Sequence, residues 1–349
     1  MFCRRMDLAD LRDSVASVSV DLDPLWCYYA IHGLPGGDAL PEGLRDVVLR
    51  RALPRFVDLF RRHGVRATLF VVGKDGEAEP GRRGLVEAAR AGHELGNHSY
   101  SHPYDLSKRG AAEVSGELAA CDRVLRAILK EAGRGSDGTG AGPDTSAPVG
   151  FRSPGYDLTP VQLQAAVDLG YRYDNSLFPC PPYYLAKVAV MAALRIAGRP
   201  SRAVLTDPRG LVGPALPYRP DPRRPSRRGS APLIELPVAV TPWLRLPAIG
   251  TSLLVSEPLR RYLLHAMRRR PFFNLELHGL DLIDAAEDGI PDVLVQRQPD
   301  LRVPLAAKLR ALDDTIAQIK ETARFLPLRE VAAAYAGSST VPAPPTSSR

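Results

Sequence analysis

Two short segments of this 349-residue chain carry the residue types that hydrolytic chemistry needs. Ser17–Asp23 reads SVSVDLD and supplies an Asp-x-Asp, and residues 92–103 read GHELGNHSYSHP and supply a His-x-x-x-His. Side chains along a strand alternate faces, so Asp21 and Asp23 leave the end of a strand toward the same side. His98 and His102, four apart, share one side of a helical or turn-like path. Two imidazoles and a carboxylate suit zinc and its first-row neighbours, and three protein ligands leave a position open to water or substrate. The other carboxylate then stands beside that site as a candidate base.

These residues need a frame, and the chain supplies one in alternating strand-like and helix-like segments. Strands are expected at Ser17–Leu22, Ala67–Val72, Glu94–Asn97, Val149–Arg152, Tyr171–Asp174, Leu233–Leu236 and Phe272–Leu277. Between them, Phe56, Leu59, Phe60 and His63 form an apolar helical stripe that Gly64 ends. Thr159 and Pro160 read as an N-cap and a first helical position, with Gly170 as the stop, and Ser256 with Pro258 opens a further helix. Repeated β-then-α order predicts an α/β protein with a parallel sheet, open or closed into a barrel. In a parallel β/α barrel the functional groups collect where strands end. Asp21 and Asp23 follow the first strand, His98 and His102 the third, Arg152 (in GFRSPGY) the fourth and His278 the strand FFNLEL.

In this order, the segments resemble the polysaccharide deacetylase superfamily (carbohydrate esterase family 4, nodulation-deacetylase homology) over roughly residues 17–282. The family's T-F-D-D-G becomes S-V-D-L-D, and its H-[ST]-x-x-H becomes His98-Ser99-Tyr100-Ser101-His102. Its R-x-P-Y becomes Arg152-Ser153-Pro154-Gly155-Tyr156, its L-H appears as Leu277-His278, and Phe70-Val71-Val72-Gly73 is similar to its A-T-F-F-V-x-G strand. The resemblance implies a distorted β/α barrel of about seven parallel strands. It also implies one divalent metal ion, zinc first, with Co2+, Mn2+, Fe2+ or Ni2+ as alternatives. Asp23, His98 and His102 would hold the metal and Asp21 would be the general base, paired with Arg152. His278 would be the general acid that protonates the departing amine. A backbone N–H in the Pro154–Tyr156 turn would help to hold the oxyanion.

Three features depart from the family pattern. Leu22 separates two aspartates that are usually adjacent, a spacing similar to that of divergent branches that include lipid-linked aminosugar deformylases. Gly155 is inserted before Tyr156, and the family's Asp/Trp motif has only Glu235 or Trp243 in its region. The expected substrate groups are Tyr156, Gly155, Trp26 and Tyr183, with Cys27, Tyr28, Tyr29, His32 and Tyr184 nearby in sequence; aromatic faces suit sugar rings and apolar chains alike.

The expected function is therefore removal of an acetyl or formyl group from the nitrogen of an amino sugar, free or lipid-carrier-linked. A hydrolase for a small linear or cyclic non-sugar amide is the alternative within the class. A non-haem iron oxygenase shares the two-His, one-carboxylate set, and an inactive carbohydrate-binding module is the third reading. A base together with an acid argues for hydrolysis over both.

Composition sets the remaining bounds. A net charge of +7 is concentrated in arginine runs such as Arg223, Arg224, Arg227, Arg228 and Arg268–Arg270, read as solvated loops. No aromatic-interleaved basic array of the kind that binds nucleic acid is present. Cys3, Cys27, Cys121 and Cys180 have no paired spacing, which argues against a disulfide framework or a cysteine metal site. The N-terminus shows no signal-peptide pattern and no apolar run is long enough to span a bilayer, so a cytoplasmic protein is expected. Leu185–Ala197 (LAKVAVMAALRIA) is apolar on nearly all sides; a core helix is expected, and a peripheral membrane helix is the alternative. The chain is read as a single domain over 15–336, with an extension at 1–14, insertions at 133–148 and 217–232, and a disordered tail at 337–349. Oligomeric state is not fixed by the sequence.

Overall fold

The computed structural model describes residues 14–133 and 146–337. The N-terminal extension, most of the first insertion and the tail expected from the sequence lie outside the described residues. Eight parallel strands form one curled sheet: β1 (Ser14–Asp21), β2 (Thr68–Val71), β3 (Glu94–Asn97), β4 (Gly150–Phe151), β5 (Tyr173–Asp174), β6 (Ile234–Glu235), β7 (Phe272–His278) and β8 (Ala323–Phe325). Their order is β6-β5-β4-β3-β2-β1-β7, seven strands as expected, with β8 paired to the start of β1. β8 was not foreseen, because ARF offers neither length nor alternation.

Helices cover the outside of the sheet between strands: α1 (Leu25–Ile31), α2 (Leu53–His63), α3 (Gly81–Arg90), α4 (Ala111–Glu131), α5 (Pro160–Asp168), α6 (Pro181–Ile196), α7 (Glu257–Met267), α8 (Leu305–Lys320) and α9 (Leu328–Ala336). Their punctuation follows the sequence. Gly64 closes α2 in the left-handed conformation, and Thr159 and Gln162 form a reciprocal capping box on α5. The Ser256 hydroxyl accepts the Leu259 N–H at the start of α7.

The pleat explains where the chemistry sits. On β1, Val18 and Val20 join the core under the helices with Leu275 and Leu277 of β7. The alternate residues Ser17, Ser19 and Asp21 lie in register with Asn274, Glu276 and His278. Since successive residues face opposite ways, one face of this strand pair is apolar and the other is a polar row that ends at Asp21 and His278. Below it, Phe70, Val149, Tyr173, Ile234, Leu236 and Phe272 belong to a separate apolar cluster that fills the interior.

Two expectations are corrected. The 217–232 segment, expected as an insertion, is tied into the sheet: Tyr218 is buried and bridges Glu235 of β6 through paired backbone bonds. Leu185–Ala197 is not a core helix, because no residue of α6 is buried.

Candidate active site

Asp23, His98 and His102 bring one ligand atom each to within 4.8 Å of one another. All three are buried, and the Asp23 carboxylate oxygen Oδ1 lies 3.2 Å from His98 Nε2 and 3.4 Å from His102 Nε2. The histidines sit on a tight turn after β3, not on a helix. Ser99 and His102 have positive φ (61° and 50°), a conformation that costs energy for non-glycine residues and clusters at functional sites. Neighbours fix this turn. Asn97 Oδ1 accepts the Ser99 N–H, and Ser99 Oγ accepts the His102 N–H. From α4, Glu117 accepts both the Tyr100 and the Ser101 N–H and the Ser101 hydroxyl.

The outer nitrogens of the two rings are also engaged. His98 Nδ1 donates to the Arg152 carbonyl at 2.7 Å; burial opposes a charge on this ring while Asp21 and Asp23 raise its pKa, and a cation taking the place of the second proton would find the Nε2 lone pair facing Asp23. His102 Nδ1 lies 3.3 Å from Cys27 Sγ, a thiol that burial keeps protonated. With the ring proton on Nδ1, Nε2 faces the cage. Burial pushes His102 down to about 4, so it is a neutral ligand at neutral pH, while the neighbouring His102 and His98 hold Asp23 well below the usual carboxylate range against the opposing effect of burial. Asp23 Oδ1 has no hydrogen-bond partner. A buried anionic oxygen without a donor, aimed between two imidazole lone pairs, fits a divalent cation of the zinc type.

Beside the cage stands a second group. Arg152, fully buried, donates to Asp21 Oδ1, to Ser19 Oγ at 2.7 Å and to the Asn175 side chain and carbonyl. Its guanidinium also lies 4.2 Å from the centre of the Phe70 ring. The other Asp21 oxygen, Oδ2, is 3.8 Å from His98 Nε2 and so faces the cage. His278 adjoins Asp21 in strand register. Its ring partner is Glu276, whose Oε1 lies 3.1 Å from Nδ1, while the Tyr156 hydroxyl is 2.8 Å from the same Oε1 and 3.1 Å from His278 Nε2. Burial disfavours the imidazolium, but Glu276 and then Asp21 outweigh it and raise His278 to about 9.

Glu276 was missed in the sequence, and the signal for it was present. N-L-E-L-H alternates, so residue 276 had to share a face with His278. Asp281, its other acidic neighbour, takes the His278 backbone N–H at 2.8 Å. Glu235 is buried against Asp174 and the Leu177 N–H, and Trp243 is on the surface. In the turn after Arg152, Gly155 and Tyr156 both have positive φ, and the Tyr156 N–H is used by the Ser153 carbonyl. Pro154 has no N–H, which leaves Gly155 as the available donor. Trp26 packs edge-on to His102 at 6.2 Å between ring centres, and Tyr183 on Tyr156 at 6.3 Å. His32 is held by Gln298 at 2.8 Å.

The family model for polysaccharide deacetylase matches residues 45–173, which include His98, His102, Arg152 and Tyr156. The match is to this stretch of the chain, about a third of its length. A peptidoglycan-N-acetylglucosamine deacetylase of Bacillus cereus is 32% identical over 75 residues, covering 22% of this chain and 26% of that protein. A peptidoglycan deacetylase of Helicobacter pylori is 24% identical over 178 residues, 50% of this chain and 54% of its own length. The chain thus spans between about a quarter and about half of these relatives. A Mycobacterium smegmatis structure described as a polysaccharide deacetylase aligns over 95% of this chain and 93% of its own with a TM-score of 0.59 at 17% identity, which shows the shared fold. Asp21, Asp23 and His278 lie outside the matched segment, and the pairing of β1 with β2 and β7 brings them beside it.

Proposed function

We propose that this protein is a metal-dependent hydrolase that removes an acyl group, acetyl or formyl, from the nitrogen of an amino sugar, free or carrier-linked. The observation that carries this reading is the pairing of Asp21 and His278 in register on neighbouring strands beside the three-residue cage. One carboxylate and one imidazolium, each with its own charge partner, are what amide hydrolysis asks of a protein. The names of the relatives support an N-acetylated sugar, and the aromatic walls of Trp26 and Tyr183 suit a ring.

A divalent cation held by Asp23, His98 and His102 would supply Lewis acidity, acidifying water and polarising the acyl carbonyl. The remaining steps fall to side chains. Asp21 takes the proton of the attacking water at Oδ2, because Arg152 occupies Oδ1 and keeps the carboxylate aimed. The Gly155 N–H is available to the oxyanion that develops on the carbonyl. His278 gives its proton to the leaving nitrogen as the C–N bond breaks, so that a carboxylate and an amine leave. Glu276 and Tyr156 are positioning residues that hold the imidazolium charged and oriented.

The test is release of acetate or formate from a panel of N-acyl amino sugars and simple amides, with and without prior chelation. Release from the sugars that chelation abolishes and added zinc restores is the expected result. Release from non-sugar amides alone would replace the substrate class, and turnover that chelation leaves untouched would remove the metal reading.

A further inference from the structure

Helix α6 faces the wrong way for a soluble surface. Its exposed positions are Leu185, Ala186, Ala189, Val190, Ala192, Ala193, Arg195 and Ile196, all apolar except Arg195. The other basic residue of the helix, Lys187, is turned inward toward Asp157, and burial lowers its ammonium to about 8. Leu185 is 67% exposed and Ile196 89%, in a helix that at 1.5 Å per residue is roughly 24 Å long. A second exposed group adjoins its N-terminus. Arg245 donates to the carbonyls of Pro179, Leu211 and Gly213, and so ties the loop bearing Trp243 (98% exposed) and Leu244 to Val212 and to the residues that lead into α6. Six of the nine large exposed hydrophobic residues among the described ones lie in this region. Single exposed apolar side chains are ordinary, but a contiguous patch marks an interaction surface.

The charge pattern identifies the partner. No Asp or Glu occurs between Asp174 and Asp207, whereas Lys187, Arg195, Arg199 and Arg202 do. Arg195, Arg199 and Arg202 are exposed at and beyond the helix C-terminus, and their side chains have no ion pair among the described residues. Apolar side chains flanked by unpaired arginines suit an interface where acyl chains meet anionic headgroups, with the arginine stems lying along the boundary. A second copy fits less well, because a two-fold contact through this face would bring Arg195 and Arg199 together, and the only acidic residue seen beside these arginines among the described residues, Asp38, lines the groove of Arg202. No helix among the described residues is long and apolar enough to cross a membrane, so such contact is peripheral.

We propose that the outer face of α6, together with Val212, Trp243 and Leu244, docks on an anionic lipid bilayer. The proposal rests on exposure and charge and stands apart from the acyl-hydrolase reading. It has a consequence for access: Tyr183, in the first turn of α6, packs on Tyr156 beside His278, so docking sets the mouth of the site at headgroup level.

Sedimentation of the full chain with phosphatidylcholine vesicles, with and without phosphatidylglycerol, tests it. Binding is expected on the anionic vesicles at low ionic strength, weakening as salt screens the arginines. Each of Arg195→Gln, Arg199→Gln and Arg202→Gln should weaken it about fivefold. The double variant Val190→Glu/Ile196→Glu should abolish it while keeping the melting temperature, since both positions are exposed. Tryptophan emission should shift to the blue on binding, and Trp243→Ala should remove that shift. Absence of binding to anionic vesicles at low salt overturns the proposal, as does binding that the double variant leaves unchanged. So does a wild-type dimer in light scattering that the double variant converts to a monomer, since that would give the face to a second copy.

Discussion

The cage and the acid–base pair lie side by side, yet different parts of the fold hold them. His98 and His102 are placed by a five-residue turn whose contacts come from Asn97, Ser99 and the adjacent helix residue Glu117. Asp21, Arg152, Glu276 and His278 come from three strand ends more than a hundred residues apart, and meet because β1 and β7 pair in one register and Arg152 reaches across from the end of β4. The histidine half of the cage is therefore a local structure, while Asp23 and the acid–base pair depend on the sheet. Damage to the first should cost metal, and damage to the second should cost catalysis or stability.

The sharpest way to break this division is to compare the two aspartates. Asp21→Asn should lower kcat by about 10²–10⁴-fold, the usual contribution of a general base, while elemental analysis still finds one metal ion per chain. Asp23→Asn should lose the metal. If Asp21→Asn loses the ion instead, the aspartates exchange roles and the boundary between the two groups moves.

Arg152 offers the next largest effect. It is fully buried between Asp21 and Asn175, and Glu276 lies 4.0 Å away. Arg152→Met leaves the buried Asp21 charge without its partner, which should cost about 3–5 kcal/mol of stability. Urea denaturation measures this directly. A loss below about 1 kcal/mol would mean that Asp21 is held by something other than this pair.

This contrast also explains what could be read in the sequence. The cage was legible because its histidines are neighbours in the chain and their spacing carries the information. Helix ends at Gly64, Thr159 and Ser256 were legible for the same reason: caps are local. Glu276 carried one local mark, its i, i+2 spacing from His278, but its place beside Asp21 and Arg152 follows only from the pairing of β7 with β1. The α6 face was misjudged because composition gives apolarity but not the direction in which a helix turns it. β8 is three residues long and is defined by its pairing with Ser14–Ala16, which no local pattern encodes.

Cys27 probes the local half with a smaller effect. Its sulfur orients His102 through Nδ1, and loss of such an outer partner typically weakens metal affinity 10–100-fold. Cys27→Ala should fall near the lower end, about tenfold, because sulfur is a weak partner. Competition with a chromogenic chelator reads the change, and kcat at saturating metal should stay close to wild type. A fall in kcat with affinity unchanged would place Cys27 with the catalytic group.

The smallest effect at neutral pH belongs to Glu276→Gln, and its value lies in the shape of the pH profile. The imidazolium of His278 is raised to about 9, with Glu276 the largest of the favourable causes. A general acid with a raised pKa is active below that value and lost as pH climbs through it, so wild-type kcat/KM should fall on the alkaline side, above the ordinary histidine value. Glutamine keeps the oxygen that accepts from Tyr156 but removes the charge, and the alkaline limb should then move down toward the ordinary histidine value of about 6.5. At pH 7 roughly a quarter of the enzyme would still carry the proton, a loss of about fourfold, whereas at pH 6 the two proteins should differ little. A cation in the cage would offset the contributions of Asp21 and Asp23 more than that of Glu276, which is ion-paired with the ring itself, so the direction of the shift survives metal loading. An alkaline limb that Glu276→Gln leaves in place would show that strand register sets the position of the acid without setting its charge.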